Sequence, residues 1–274
     1  MRTAVSIRFY RPCEELRGVV ARIYAHASGP IASGDRRWLI VPDGDIKLIL
    51  PLAGAIRCQI GATARLHRES RLIVSGMRTQ PAELSFPDGV DAIGIVIRPE
   101  GAYRLLGPPH HRITNATFDG EEIFDTRARL LQSELMGIPR EEDRVAALQA
   151  RLCQWLRVQG DRDLAFEGAV ARLKQSEGRI RIETVAHSAG WSRRHLERRF
   201  LDRIGVGPKE LANVLRFHAV YKRMRRTAQG HYAELIQDHY FDQSHFLKAF
   251  KQYTGVTPRA YSATSDYGVI YIPD

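Results

Sequence analysis

The sequence predicts an α+β chain of two domains, over 1–160 and 163–262. The first is a small β-barrel or sandwich closed by two helices, and the second an all-α domain with two helix-turn-helix units joined by a long helix. Three observations carry that expectation. Short β-favouring runs broken by turn chemistry occupy Trp38 to Ile97. Helical periodicity replaces them from Glu121 onward. A pattern of short helix, small turn, capping residue and apolar/basic helix occurs twice, around Ser192 and again around Ser244, 52 residues on (244 − 192).

In chain order, WLIVPDGDIKLIL holds a Pro-Asp-Gly turn at Pro42 between two apolar stretches. AIRCQI, RLIVSG and AELSF follow, and then DAIGIVIRP after the Pro-Asp-Gly at Pro87 to Gly89. Trp38, Ile40, Leu48 and Leu50 suit either a core or the lining of a pocket. Ile123, Phe124, Leu130, Leu131 and Leu135 recur at helical intervals, as do Val145, Leu148, Leu152, Trp155 and Leu156, which predicts the two closing helices. The polar stretch Gln159 to Asp163 interrupts this periodicity and marks the boundary, and a fresh helix runs from Asp163 to about Gln175. VAHSAGWSRRHLERRF, from Val185 to Phe200, is the first unit, with a turn at Gly190 and Ser192 as N-cap. Gly207-Pro208 opens a helix to about Arg226 with Leu211, Val214, Leu215, Ala219 and Met224 as its apolar stripe, because proline is tolerated in a first turn. At ~1.5 Å per residue that helix spans roughly 27 Å, comparable with the ~34 Å between successive major-groove turns on one face of DNA. LIQDHYFDQSHFLKAFKQYTG, from Leu235 to Gly255, is the second unit.

Composition narrows the function. At 274 residues, 44% hydrophobic and 26% charged, the chain reads as ordinary globular protein. Its longest apolar runs, Ile46 to Leu52 and Ile93 to Ile97, fall far short of the roughly 20 residues that span a bilayer. No signal-peptide profile opens the sequence, so a cytoplasmic protein without a membrane partner is expected. Cys13, Cys58 and Cys153 are odd in number, far apart and in no CxxC pair, which predicts buried or incidental thiols rather than a disulfide framework or zinc site. His67, His110 and His111 lack metal-ligand spacing, so neither metal nor cofactor is expected. No G-x-S-x-G, Walker A or G-x-G-x-x-G occurs, and Cys13 has no evident base. An enzyme is therefore not expected; it would need a pocket around carboxylates such as Glu83 or Glu100.

Charge divides the chain. Residues 1–178 carry 25 Lys+Arg against 22 Asp+Glu, a net of +3, while 179–261 carry 16 against 7, a net of +9, and the last thirteen residues add −2. The basic excess sits with the doubled motif, where it can neutralise DNA phosphates.

Helical geometry then selects the DNA-reading side chains. On the first recognition helix Leu196 and Phe200 point inward, leaving Arg193, Arg194, Glu197 and Arg198 on the outer arc. Arginine can fork onto guanine O6/N7 and glutamate can accept from cytosine N4. The competing reading is a solvated basic face with Arg198 and Glu197 paired; His195 and Arg199 are assigned to packing or phosphate. On the second helix Phe246 and Phe250 point inward and Gln243, Ser244, His245 and Lys248 face the groove. Arg216, Arg223, Arg225, Arg226 and Lys251 are phosphate candidates, with Arg216 alternatively the structural partner of a carboxylate.

Ala186, Gly190, Ser192, Leu196 and Phe200, then Gly205, Pro208 and Arg216, then DQSHF (Asp242 to Phe246), Phe250, Gly255, Thr257, Pro258 and Tyr261 carry a resemblance. Over about 163–262 the sequence resembles the AraC/XylS family of bacterial transcription regulators. WLIVPDGDIKLIL and SGMRTQP are similar to a cupin-like domain in one branch of that family. The resemblance implies a cytoplasmic regulator, such as an activator, with promoter DNA as partner, a small-molecule effector at the N-terminal domain, homodimerisation, and RNA polymerase as partner where it activates. The alternative is an N-terminal interaction module, dimerising through Val145, Leu148, Leu152 and Trp155, or a relic enzyme localised to DNA. One departure stands out: Asp238-His239-Tyr240 replaces the glycine that normally precedes an aromatic in the second turn. Histidine adopts positive φ less readily than glycine, so the second unit is expected to dock less well, or differently.

Overall fold

The computed structural model describes residues 5–29, 37–61, 63–68, 71–107, 113–158, 162–226, 236–263 and 267–269. His110, His111, Leu235 and the 159–161 part of the expected boundary lie outside them, as do the side chains of Trp38, His67 and Arg226.

Among the described residues ten strands form the sheet: β1 (Val5–Tyr10), β2 (Val20–Ser28), β3 (Arg37–Ile40), β4 (Ile46–Ile60), β5 (Thr63–Arg68), β6 (Ile73–Ser75), β7 (Ala82–Ser85), β8 (Val90–Ile97), β9 (Thr117–Asp119) and β10 (Tyr267–Val269). The path β1-β2-β8-β4-β7-β3-β10 is antiparallel except for the β3–β10 pair, with β5 and β6 added to β4 and β9 to β6. Strand β4 organises the domain. Its first half pairs with β8 and β6, and its second half with β7 and β5. The two halves meet at a register slip between Pro51 and Ala53, where proline cannot donate to the ladder and the strand bends. Gly54 follows at φ 77°, with the Gly89 carbonyl where a Cβ would sit. The result is an open, folded sheet. Strands β1, β2, β5, β9 and β10 come in addition to the runs the sequence singles out, and the two runs IKLIL and AIRCQI both lie in the single strand β4.

Alternation along the central strands buries Ile46, Leu48 and Leu50 with Ile93, Ile95 and Ile97 in the main core. Leu48 and Leu50 are thus core. Against it lie α1 (Pro99–Leu106), α2 (Gly120–Phe124), α3 (Thr126–Met136) and α4 (Glu141–Val158). The first expected closing helix is split in two at Asp125, which takes φ 51°. Leu130, placed on its apolar row by periodicity, is 64% exposed. Val145, Leu148, Leu152 and Trp155 are buried in the chain's own core, so the dimerisation face expected of them is not available.

The C-terminal segment holds α5 (Leu164–Gln175), α6 (Ile182–Ser188), α7 (Arg193–Ile204), α8 (Pro208–Arg226), α9 (Gln243–Thr254) and α10 (Pro258–Ala263). The main core continues without a break from Ile97 and Leu105 through Leu148 and Phe166 to Phe200, Ile204 and Leu211. A second core joins Val214, Phe217, Val220 and Tyr221 of α8 to Phe246 and Phe250 of α9, and includes Leu39 of β3 and Val41 just after it. Helix α8 is therefore buried through Phe217, Val220 and Tyr221 as well as Leu211, Val214 and Met224, whereas the expected stripe members Leu215 and Ala219 face a cleft. Among the described residues no helix is long and apolar enough to cross a membrane.

Candidate nucleic-acid interface

Helix α7 begins where its sequence permits. Ser192 is extended, and its Oγ accepts from the His195 N–H at 3.2 Å. Gly205 closes the helix in the left-handed conformation at φ 87°. Leu196, Phe200 and Ile204 are wholly buried, each contributing ~1.5–3 kcal/mol relative to exposure. Arg193, Arg194 and Arg198 are exposed on the other side. Arg193 donates to Glu183 at 2.8 Å and to Glu197 at 3.0 Å, and Arg198 lies 3.4 Å from the His195 ring. Glu197 thus pairs with Arg193 rather than with Arg198. Arg194 has no hydrogen bond or ion pair among the described residues.

The far end of α7 is fastened. Arg199 and Arg203 both pair with Asp163, which also caps α5 by accepting from the Phe166 N–H. Arg199 lies over Trp191, and Arg203 sits 4.6 Å above the Tyr103 ring of α1. Thr114 Oγ1 donates to the Gly205 carbonyl at 2.9 Å. One end of the helix is anchored to the β domain and the other projects its arginines.

Helix α9 repeats the design with Asp242 as cap, accepting from the His245 N–H at 2.7 Å, and Gly255 at φ 79°. Gln243, Ser244, His245 and Lys248 are exposed, and the His245 ring meets Tyr240 edge-on. Phe241, which sequence reasoning passed over, is 97% exposed just before the cap. The turn preceding α9 is not strained at His239, which is absent from the positive-φ residues. Instead His239 turns inward: its side chain is 2% exposed, and Nε2 lies 2.7 Å from Glu177 Oε2. Glu177 itself takes positive φ, at 50°. Arg223 reaches the same carboxylate at 2.9 and 3.0 Å. Burial alone would raise the Glu177 carboxyl; the bonds and charges of His239 and Arg223 outweigh it and hold the group below its ordinary value.

The phosphate candidates separate accordingly. Arg223 is engaged by Glu177, and Arg216 donates to the Gly178 carbonyl at 2.6 Å instead of to a carboxylate. Arg225 is exposed and donates to the Tyr261 hydroxyl at 3.1 Å, and Lys251 is exposed.

Between the β domain and α8 lies a cleft of about 540 Å³ lined by Arg22, Asp43, Asp45, Arg98, Lys174, His218, Lys222 and Arg223 among others. Burial pushes the Asp45 carboxyl up to about 6, with Asp43 adding to it and Lys174 opposing it. Burial likewise lowers His218 to about 4, which keeps it neutral at pH 7. Among the described residues no cluster of three or more His, Cys, Asp or Glu could hold a metal ion. Glu100, once a candidate pocket acid, is paired with Lys174 at 2.9 Å.

Two capped helices presenting polar and basic side chains define a helix-turn-helix DNA-binding unit. Residues 185–264 match the family described as "Helix-turn-helix domain", and residues 8–119 match the one described as "Domain of unknown function (DUF6597)". The C-terminal segment thus carries a helix-turn-helix domain. No curated protein matches the chain. Solved structures similar to it include ToxT from Vibrio cholerae O395, at 13% identity and TM-score 0.46, covering 94% of this chain and 96% of that one. They also include unsaturated fatty acid-bound ToxT from V. cholerae strain SCE256, at 15% identity and TM-score 0.46, covering 95% of each. The AraC-like transcriptional activator CuxR is 14% identical at TM-score 0.33, covering 82% of this chain and 87% of that one.

Proposed function

We propose that the protein recognises a bipartite promoter site, with α7 and α9 in successive major grooves. Arg193, Arg194, Glu197 and Arg198 choose bases in one half-site; Gln243, Ser244, His245 and Lys248 face the other, joined by Phe241 as an apolar contact to a thymine methyl. The observation that carries this reading is the exposed arc of α7, whose buried face is fixed by Leu196, Phe200 and Ile204. Arg225 and Lys251 position the duplex through phosphate; Arg216 and Arg223 hold the protein's own turns.

A small polar effector would act at the cleft between the β domain and α8. Its volume is in the range of ligand sites, and its walls include Arg223, a member of the triad behind the second unit's turn. RNA polymerase is the further partner if the protein activates, and a homodimer would need a surface other than the buried row of α4. Selection of genomic fragments by the full-length protein at a fixed salt concentration tests the DNA reading. A shared motif with two half-sites about one helical turn apart is expected, and salt-sensitive binding with no motif would overturn it. A ligand-dependent change in affinity for that motif tests the effector.

A further inference from the structure

Cys13 and Cys153 are 140 positions apart in sequence, yet their sulfurs lie 3.5 Å apart. Cys13 is exposed at the start of a short 3-10 turn (Glu14–Leu16), and Cys153 is 8% exposed on α4. Their meeting is not a lone coincidence of two side chains. The segment from Arg8 to Glu15 lies along one stripe of α4, at positions 141, 149, 153 and 157. Arg8 and Tyr10 reach Glu141, the Cys13 N–H donates to Gln149 Oε1 at 2.6 Å, and Glu15 pairs with Arg157 at 3.0 Å. Partners on both sides of the two cysteines hold them in register. Cys58 sits elsewhere in the fold, buried in the β domain with its sulfur 3.5 Å from Arg78.

We propose that Cys13 and Cys153 are an oxidisable dithiol, which a low-molecular-weight disulfide converts to an intramolecular disulfide stapling the N-terminal segment to α4. The Cys13 thiolate attacks one sulfur of the oxidant, and a thiolate leaves. The Cys153 sulfur then attacks Cys13 Sγ in the mixed disulfide, and the second thiolate leaves. Two protein thiols lose two protons and two electrons, and the oxidant is reduced to two thiols. Closing the bond needs the sulfurs to approach by about 1.5 Å, from 3.5 Å to ~2.05 Å, within the reach of side-chain rotation. Access fixes the order. Burial, then the contact with Cys13, pushes the Cys153 thiol up to about 12, so at neutral pH it stays protonated while Cys13 meets the oxidant first. Helix α4 precedes Asp163, which holds Arg199 and Arg203 of α7, so the staple lies on the element leading into the first reading unit.

Full-length native protein is incubated with oxidised glutathione at pH 8, acid-quenched and alkylated, then measured by intact mass and peptide mapping. The expected result is loss of two of the three alkylatable thiols, one Cys13–Cys153 linked peptide, and recovery of all three after dithiothreitol. Cys153→Ser should instead trap glutathione on Cys13, because the resolving thiol is missing. Retention of three thiols, a bond involving Cys58, or linkage only between chains would each overturn the proposal. None of these outcomes depends on DNA binding.

Discussion

The bond network behind the second unit's turn can be weighed by replacing Glu177 in two ways. Glutamate here takes φ 50°, a left-handed conformation costing about 1–2 kcal/mol for a non-glycine residue. Its carboxylate receives both Arg223 contacts and His239. Hydrogen bonds to charged groups contribute about 1.5–3 kcal/mol each, but Arg223 is 39% exposed, which places its share at the low end. The His239 side chain is nearly sealed, so its share survives solvent screening. Glu177→Ala keeps the strained backbone and loses every bond, for an expected loss of roughly 3 kcal/mol. Glu177→Gly loses the same bonds but relieves the strain, for a loss of roughly 1–2 kcal/mol. Urea unfolding followed by fluorescence gives both values, and hydroxyl-radical footprinting shows whether the half-site under α9 is released before the one under α7. A Glu177→Gly protein as stable as the parent would refute the claim that the carboxylate outweighs its own backbone cost. Equal values for the two variants would refute the strain.

Three further outcomes follow from the same geometry. Arg194→Ala should weaken binding to the selected site by about 5- to 150-fold, the ~1–3 kcal/mol of one base contact; gel-shift titration with specific and random DNA checks it, and an equal loss on both would show that Arg194 reads no base. Phe241→Ala should lower affinity by about fivefold, near 1 kcal/mol for half-burying a phenyl ring, without changing the melting temperature, since the ring is 97% exposed in the free protein. Asp45 gives a pH signature. Its carboxyl is raised to about 6, so the folded state favours the proton, and stability is fully present below the ordinary value of 3.8 and lost as pH rises through about 6. Asp45→Asn should therefore match the parent near pH 4 and exceed it at pH 7.5, by up to roughly 3 kcal/mol; melting curves at the two pH values would contradict this if the variant were the less stable at the higher one.

What the sequence made legible was local. Ser192 and Pro208 announce helix starts, and Leu196, Phe200, Phe246 and Phe250 announce buried faces, because caps and four-residue spacing act within one element. Helix α1 escaped, since eight residues with an internal glycine give little periodic signal, yet it carries the Tyr103 that meets Arg203. Strands β1 and β2 escaped because no Pro-Asp-Gly turn marks them; a 3-10 turn joins them instead. Pairings across long separations left no trace at all. His239 reads locally as a poor substitute for glycine, and its reason, Glu177, stands 62 positions away. Cys13 and Cys153 read as incidental thiols for the same reason.

The two reading units are joined to the β domain by different surfaces. Helix α7 shares the main core with α1 and the central strands, whereas α9 rests on a second core that takes Leu39 from β3 and Val41 from just after it. Helix α8 belongs to both, contributing Leu211 to one and Phe217 to the other, and its remaining face, with Leu215, His218 and Lys222, forms a wall of the cleft. Gly44, at φ 87°, brings the Asp43–Asp45 loop against Leu215, so the opposite wall touches the same helix. A molecule seated there would contact neither recognition helix directly. It would bear on the spacer that sets their separation, and on Arg223, which holds the turn before α9. Because α7 is separately anchored by Asp163 and Tyr103, an effector of the kind proposed would control the second half-site more than the first, with DNA affinity changing through loss or gain of a bipartite grip.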